Sequence, residues 1–215
     1  MDVPTKAKAH IVYKNAAGVR LPGVTTITGQ LDKPALVRWA NNLGLQGIDS
    51  TKYTDHLADV GTLAHDMIAC YLRGVACDIS EYTKNQIDQA ENSCLSFYEW
   101  EKTHRLEPGV IEQPLVSEEF GFGGTIDFYG KCNGVYTLID FKTGKAIYDE
   151  MIFQVSTYRQ LLIENGYKVE KVKILRIGRD ETEGFEERTV NDYETGWQIF
   201  LRCLDIYKLR KLLKS

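Results

Sequence analysis

Two aspartates face each other if one tight turn forms as its sequence indicates. Asn133-Gly134 lies between two runs rich in β-forming residues, and this dipeptide is the strongest short-range signal for a two-residue type I′ turn. Counting outward from that turn, one residue per strand, brings Asp127 directly opposite Asp140. The sequence therefore predicts a hairpin that carries two carboxylates on one face.

Opposed carboxylates of this kind indicate a bound cation. Directly opposed side chains have Cβ atoms ~4.5–5.5 Å apart, and like charges at that distance destabilise a strand pair. A hard divalent ion such as Mg²⁺ or Mn²⁺ between Asp127 and Asp140 would remove the repulsion. Lys142 lies two residues beyond Asp140, so the period of a strand puts its ammonium on the same face. The alternative is a surface hairpin whose acidic pair is neutralised by a lysine.

Length and hydrophobic content predict one folded domain. The chain has 215 residues, of which 43% are hydrophobic, enough to bury a substantial core. We predict a single domain over residues 1–215, with residues 1–30 as a hairpin appendage. No run of 18 apolar residues occurs, and the first six residues lack the apolar stretch of a signal peptide. We therefore expect a soluble intracellular protein that has no membrane partner.

Charge and cysteine content limit the classes of protein to which the chain can belong. A net charge of −4 and a pI of about 5.6 give no global basic field, so a nucleic-acid substrate needs local positive charge. Basic clusters at residues 208–214 and 171–179 are candidates for that role, and solvated charge is the alternative. Five cysteines without a CxxC pair indicate neither a disulfide framework nor a zinc ribbon.

The elements that must position the hairpin alternate between helix and strand patterns. Their predicted order is helices, three strands, a helix, two strands and a helix. Helices are predicted over about 34–43, 55–73, 81–103, 149–165 and from 191 onward, and strands over 110–117, 125–131, 135–142, 169–177 and 185–190. For the last helix, Asn191 and Glu194 are predicted to form a capping box.

Four short segments share an order and spacing that is more specific than any of them alone. They are Gly61-Thr62-Leu63-Ala64-His65, Gly124-Thr125-Ile126-Asp127, Asp140-Phe141-Lys142-Thr143-Gly144 and Gln154-Val155-Ser156-Thr157-Tyr158. Together they resemble the PD-(D/E)XK nuclease superfamily, and within it the phage-type exonucleases of the RecB-like branch. The resemblance implies an α/β fold with a restriction-endonuclease-like core, in which helices flank a mixed β-sheet and the hairpin lies at its centre.

The resemblance also implies roles for residues that match its motifs. Asp127 and Asp140 become metal ligands, His65 adds a nitrogen ligand, and Lys142 stabilises charge or helps to position the attacking water. That set agrees with phosphodiester hydrolysis, whose transition state gathers negative charge on the phosphoryl oxygens. A histidine on a partly apolar helix is, by itself, more often structural. Imidazole favours Mn²⁺ over Mg²⁺.

Further candidates lie around these residues. Gln154 and Tyr158 are four apart on one predicted helix and so project together; relatives place this pair beside the active site, while packing in the helix stripe is the other reading of Tyr158. Glu112 is a candidate ligand or supporting group, or a solvated strand carboxylate. Lys145 and Tyr148 are candidates for contact with DNA, or parts of a solvated loop.

The function that the resemblance implies is a metal-dependent DNA nuclease, and specifically an exonuclease on single-stranded or end-frayed DNA. A structure-selective endonuclease and a non-catalytic DNA-binding module of the same fold are the alternatives. Only Cys203 follows Cys132, so we expect no iron–sulfur cluster of the type that many relatives carry. No Walker motif occurs, so a helicase or recombination partner is an expectation, as are phage recombination and repair in a bacterial or phage-infected cytoplasm.

Overall fold

The computed structural model describes residues 11–213, in which a five-stranded sheet lies between two groups of helices. The elements in chain order are β1 (Tyr13–Lys14), β2 (Arg20–Leu21), α1 (Val24–Thr28), α2 (Pro34–Leu45), α3 (Ser50–Arg73), α4 (Lys84–Glu101), β3 (Leu106–Ser117), β4 (Phe122–Cys132), β5 (Val135–Lys142), α5 (Asp149–Glu164), β6 (Lys171–Ile177), β7 (Phe185–Thr189) and α6 (Tyr193–Leu212).

The large sheet is mixed, as predicted. Its strand order is β3-β4-β5-β6-β7, and every neighbouring pair is antiparallel except β5 and β6. Helices α1, α5 and α6 contribute to one apolar cluster, and α3 and α4 contribute to two others. Helix α5 connects the two parallel strands, as the long crossover between parallel neighbours requires. The fold class is therefore confirmed, with β5 as the central strand.

The tight turn of the β4–β5 hairpin is also confirmed. Asn133 and Gly134 have φ values of 52° and 82°, and Cys132 pairs with Val135. Both central residues of a type I′ turn need positive φ, which asparagine and glycine tolerate best. The ladder then runs in register as far as the pair of Phe128 and Ile139, one step short of the two aspartates.

Several element boundaries differ from those predicted. The short helix α1 was not expected, and α3 begins at Ser50 rather than near residue 55, because the Asp49 side chain accepts hydrogen bonds from two amides of its first turn. Helix α4 begins at Lys84, after a capping box formed by Thr83 and Gln86. The capping box predicted at the start of α6 is wrong, since Asp192 caps that helix by accepting from the amide of Thr195.

The β1–β2 hairpin packs against the large sheet. The carbonyl oxygen of Pro22 accepts a hydrogen bond of 2.9 Å from the Gly123 amide, and Gly23 forms a parallel bridge with Gly123. The Ala16 amide donates to Glu118 Oε1 at 2.7 Å. Residues 1–10 of the predicted appendage lie outside the described part of the chain. Within residues 11–213, no helix is both long enough and apolar enough to span a membrane.

Candidate active site

The site begins where β4 and β5 separate. The backbone pairing of the two strands stops after Phe128 and Ile139. Beyond that point a side chain connects the strands, because Asp127 Oδ2 accepts a hydrogen bond of 2.8 Å from the Phe141 amide. This side chain holds the two strands together at their separating ends. Burial raises the pKa of Asp140, the next residue of β5, and Asp127 lies close enough for its charge to add to that rise. The Asp140 carboxylate is not, however, in the group of ligand atoms formed by His65, Glu112 and Asp127.

Asp140 is the most deeply buried acidic group of the site. Its side chain is 1% exposed, and Lys142 Nζ lies 2.5 Å from its Oδ2. Within residues 11–213, Asp140 Oδ1 has no hydrogen-bond partner. A buried acceptor without a donor costs about 1–3 kcal/mol, and a bound cation would remove that cost.

Helix α3 brings His65 to the same gap. His65 Nδ1 lies 3.4 Å from Glu112 Oε1 and 3.5 Å from Asp127 Oδ2. The imidazole packs edge-on against the ring of Phe141, with 6.0 Å between centroids. The helix comes close because Gly61 has no side chain: a Cβ there would lie 2.8 Å from Thr143 Oγ1, just after Lys142.

Glu112 on β3 lies in the same cluster as His65 and Asp127. Potential ligand atoms of His65, Glu112 and Asp127 all lie within 4.8 Å of one another. The backbone of Glu112 has φ 43°, a conformation that non-glycine residues seldom adopt and that is concentrated at functional sites. The structure thus places Glu112 beside the two predicted ligands, where the sequence had left its role open.

The electrostatics of the cluster follow from burial and from its own charges. Burial lowers the pKa of His65, but Asp127 and Glu112 outweigh burial and raise that pKa to about 10. Burial raises the pKa of Asp140 to about 6, partly offset by Lys142. For Asp127, the charges of His65 and Lys142 overcome burial and lower the pKa. Burial favours the neutral amine of Lys142, but the two aspartates raise its pKa, so the ammonium persists.

The donor set fits a divalent cation. Glu112, Asp127 and Asp140 carry three negative charges when ionised, and Lys142 returns one positive charge. With a neutral His65 the site has a charge of −2, which a single divalent ion balances. Carboxylate oxygens suit Mg²⁺ and Mn²⁺, and the imidazole nitrogen suits Mn²⁺. The side chains of His65 and Glu112 are about one-fifth exposed, so an ion can reach them from solvent.

Helix α5 contributes the Gln154–Tyr158 pair from the opposite face of the sheet. Gln154 Nε2 donates a hydrogen bond of 2.7 Å to the Tyr158 hydroxyl. Burial raises the pKa of Tyr158 well above 10, and the charges of Asp140 and Asp127 add to that rise. Tyr158 also packs closely on Gly124, where a Cβ would lie 2.6 Å from its Cε1. The phenol is thus neutral, buried and next to the carboxylates.

Lys145 and Tyr148 lie outside this cluster. Both are exposed in the loop between β5 and α5, and Tyr148 immediately precedes that helix. The loop follows directly from the β5 end that carries Lys142. The two side chains therefore border the site without entering it.

In solved structures, the chain is similar to exonucleases. It has 14% identity and a TM-score of 0.48 with a candidate exonuclease from Eubacterium rectale, over 71% of this chain and 66% of that one, just under two thirds of its length. It has 19% identity and a TM-score of 0.34 with an alkaline exonuclease from Laribacter hongkongensis, over 74% of this chain and 91% of that one. The same enzyme bound to dAMP gives 20% identity and a TM-score of 0.32, over the same shares.

At these identities and TM-scores, the similarities assign no activity to this chain. No protein-family model matches the sequence, and no curated protein matches it. The geometry of the site is therefore the main indication of function.

One contact at the site was not predicted from the sequence. The Tyr13 hydroxyl, on β1, lies 3.0 Å from Thr125 Oγ1, two residues before Asp127. The available signal was the consecutive pair Gly123-Gly124 inside a strand pattern, because interior glycines often mark a close approach by another group.

Proposed function

We propose that this protein is a divalent-metal-dependent DNA nuclease, and specifically an exonuclease on single-stranded or end-frayed DNA. One observation carries the proposal: His65, Glu112 and Asp127 present ligand atoms within 4.8 Å, next to a buried Asp140 that has an orphan oxygen. We also propose that residues 1–215 form a single nuclease domain.

The donor set indicates which residues would hold the ion. His65, Glu112 and Asp127 are the proposed ligands, with Asp140 Oδ1 as the remaining acceptor. When bound there, Mg²⁺ or Mn²⁺ would act as a Lewis acid that activates water and offsets charge on the phosphoryl group.

Lys142 supplies a positive charge beside Asp140. Its raised pKa keeps it protonated, so it is unsuited to accept a proton from water at neutral pH. An ammonium at this position instead stabilises the negative charge that develops on phosphoryl oxygens, which lowers the barrier more than it favours the bound substrate.

The Gln154–Tyr158 pair supplies an oriented hydroxyl. Because Gln154 donates to the Tyr158 oxygen, the phenolic proton remains available to an acceptor in the cleft. We propose that this proton is donated to a phosphate oxygen of the DNA, and that the exposed Lys145 and Tyr148 contact the strand as it enters.

A time course on labelled DNA tests the proposal. Linear and circular molecules, single-stranded and duplex, carry a 5′ or a 3′ label on the linear forms, and each is incubated with Mn²⁺, Mg²⁺ or EDTA. We expect metal-dependent loss of linear but not circular substrate. Nicking of circles would replace the exonuclease with an endonuclease, and DNA binding without cleavage would indicate a non-catalytic module.

Two variants tie that activity to the site. Asp140→Asn and Lys142→Ala should abolish hydrolysis while the melting temperature shows a folded protein. Asp205→Asn is the matched control, because it removes a carboxylate from an exposed position on α6. Equal activity in Asp140→Asn and Asp205→Asn would remove Asp140 from the mechanism.

A further inference from the structure

Tyr13 is held against the strand that leads into the site. A Cβ at Gly123 would overlap the Tyr13 ring, and a Cβ at Gly23 would lie 3.2 Å from Tyr13 Cε2. The ring therefore fills the space beside both glycines, which are joined by the bridge between the β1–β2 hairpin and β4. Its position is set by backbone on two sides.

The hydroxyl of Tyr13 has a fixed partner. It lies 3.0 Å from Thr125 Oγ1, and Thr125 is two residues from Asp127 on the same strand. Burial raises the pKa of Tyr13, the Thr125 hydrogen bond partly opposes that rise, and the charge of Glu112 adds to it. Tyr13 thus presents a neutral phenol within the field of the acidic cluster.

The hydroxyls of Tyr13 and Thr125 carry two protons, and the hydrogen bond between them uses only one. If the Thr125 hydroxyl donates to the Tyr13 oxygen, the phenolic proton of Tyr13 is available to a further acceptor. Tyr13 is partly exposed, so that acceptor can come from solvent or from a bound molecule. Tyr158 packs on Gly124 and Tyr13 on Gly123, so two phenols flank consecutive residues of β4.

We propose that Tyr13 is a substrate-positioning residue, whose hydroxyl, oriented by Thr125, donates a hydrogen bond to a phosphate oxygen of the DNA strand. The β1–β2 hairpin then forms a wall of the cleft. This inference rests on the proposed nuclease function, and it adds a group from the N-terminal hairpin to a site whose other residues lie on β3, β4, β5, α3 and α5.

Removal of a single oxygen tests the proposal. Tyr13→Phe keeps the ring between the glycines, so its melting temperature should match that of the wild type. We expect KM for a linear oligonucleotide to rise at least about tenfold, the loss of one hydrogen bond to a charged group, with kcat within about twofold. The Mn²⁺ affinity from calorimetry should not change. Tyr136→Phe, an exposed hydroxyl near the hairpin turn, is the matched control and should leave KM unchanged.

Thr125 variants separate orientation from packing. Thr125→Val should raise KM as Tyr13→Phe does, whereas Thr125→Ser, which keeps the hydroxyl, should have the KM of the wild type. The double variant Tyr13→Phe with Thr125→Val should have a KM no higher than that of either single variant. An unchanged KM in Tyr13→Phe, or additive effects in the double variant, would overturn the proposal and leave Tyr13 as a packing residue.

An equilibrium measurement keeps this test independent of turnover. In the Asp140→Asn background, fluorescence anisotropy with a labelled single-stranded oligonucleotide should show at least about tenfold weaker binding when Tyr13→Phe is added. If the wild type cleaves DNA but Tyr13→Phe affects neither binding nor KM, only the role of Tyr13 fails. If the wild type neither cleaves nor binds DNA, both proposals fail.

Discussion

The burial of the Asp140 carboxylate lowers the stability of the folded protein. Its carboxylate is 1% exposed, and Oδ1 has no donor within the described residues. Such burial costs free energy that an asparagine would reduce, because a neutral side chain avoids the loss of charge solvation. The arrangement is explained if a cation repays the cost, and it has no evident structural benefit without one.

Metal binding should release a proton from His65. Although burial lowers its pKa, the neighbouring carboxylates raise it to about 10, and a protonated imidazole cannot bind a metal. Below pH 10 the ion must displace this proton, so the apparent Mn²⁺ affinity should rise about tenfold per pH unit between about pH 6.5 and 9. Titration calorimetry in buffers of different protonation enthalpy measures the number of protons released.

The His65→Gln variant provides the control for this pH dependence. It should bind Mn²⁺ more weakly, with an affinity nearly independent of pH over that range. Below about pH 6 the wild-type slope should steepen, because Asp140 also takes up a proton there. A His65→Gln variant with the Mn²⁺ affinity and proton release of the wild type would exclude His65 as a ligand.

Glu112 should be a position where function and stability favour different residues. Its φ of 43° is strained for glutamate, whereas asparagine accepts such a backbone more readily. We expect Glu112→Asn to keep or raise the melting temperature while it weakens Mn²⁺ binding at least about tenfold, because even residues that only support metal ligands contribute that much. Thermal melts and calorimetry on the same samples measure both effects.

The matched control for Glu112 is Asn133, which has φ 52° in the hairpin turn. Asn133→Ala should lower the melting temperature, since alanine is disfavoured at positive φ, and should leave the Mn²⁺ affinity unchanged. A Glu112→Asn variant that melts well below the wild type would show that this glutamate supports the fold.

The positions of some site residues could be predicted from the sequence, and those of others could not. The turn at Asn133-Gly134 is a local signal that sets the register, so the positions of Asp127 and Asp140 could be counted from it. Glu112 could not be placed with the same certainty, because its positive φ departs from regular strand geometry. Tyr13 approaches the site through tertiary packing; the Gly123-Gly124 pair indicates a close approach but does not identify the group that makes it.

At the scale of elements, the approach of α3 to β5 depends on one missing side chain. Gly61→Ala would place a Cβ 2.8 Å from Thr143 Oγ1, so Thr143 or the helix must move next to Lys142. We expect activity to fall at least about tenfold, because small displacements at a catalytic centre have large effects. The measurement is kcat/KM on linear DNA, with a melt of the same sample.

A second helical glycine calibrates this effect. A Cβ at Gly44, on α2, meets no heavy atom within 4 Å, so Gly44→Ala should stabilise the protein by up to about 1 kcal/mol without a change in activity. Adding Thr143→Ala to Gly61→Ala should restore part of the lost activity. If Gly61→Ala and the double variant Gly61→Ala with Thr143→Ala both have the same activity as Gly44→Ala, then the packing of α3 has no bearing on the site.

Element types were predicted better than element ends. The long strands and helices have clear apolar patterns, and the order of those from α2 to α6 is as predicted. Helix α1 is too short for a period of 3.6 residues to show in its sequence, and its apolar side chains are buried by α5 and α6. The early start of α3 depends on the Asp49 cap, a single side chain ahead of the apolar stripe.

For the whole molecule, the predicted role of the strand cluster at residues 171–179 is not supported by its contacts. Three of its basic side chains are buried and committed to internal partners: Lys173 to Glu187, Arg176 to Glu186 and to the carbonyl of Gly144, and Arg179 to Glu183. These charges hold β6, β7 and the loop after Lys142 together, so they are poorly placed to bind a polyanion.

Two substitutions should separate structural charge from substrate-binding charge. Arg176→Ala removes a nearly buried guanidinium that donates to the carbonyls of Gly144, Glu183 and Gly184, so the free energy of unfolding should fall by about 1–3 kcal/mol. Lys145→Ala changes an exposed side chain beside the site, so it should weaken DNA binding and reduce its salt dependence without a change in stability. Denaturant melts and anisotropy titrations at several salt concentrations measure the two quantities. A stable Arg176→Ala variant with weakened DNA binding would reverse these assignments.

The hydrogen bond from the Phe141 amide to Asp127 Oδ2 also makes the backbone a reporter of the site. An amide nitrogen that donates to a carboxylate responds in its NMR chemical shift to the charge on that carboxylate. In ¹H–¹⁵N spectra, the single cross-peak of Phe141 should therefore follow both the titration of the acidic cluster and the arrival of a cation. In ¹⁵N-enriched protein, the central strand thus contains a spectroscopic probe that requires no attached fluorophore or spin label and no catalytic turnover.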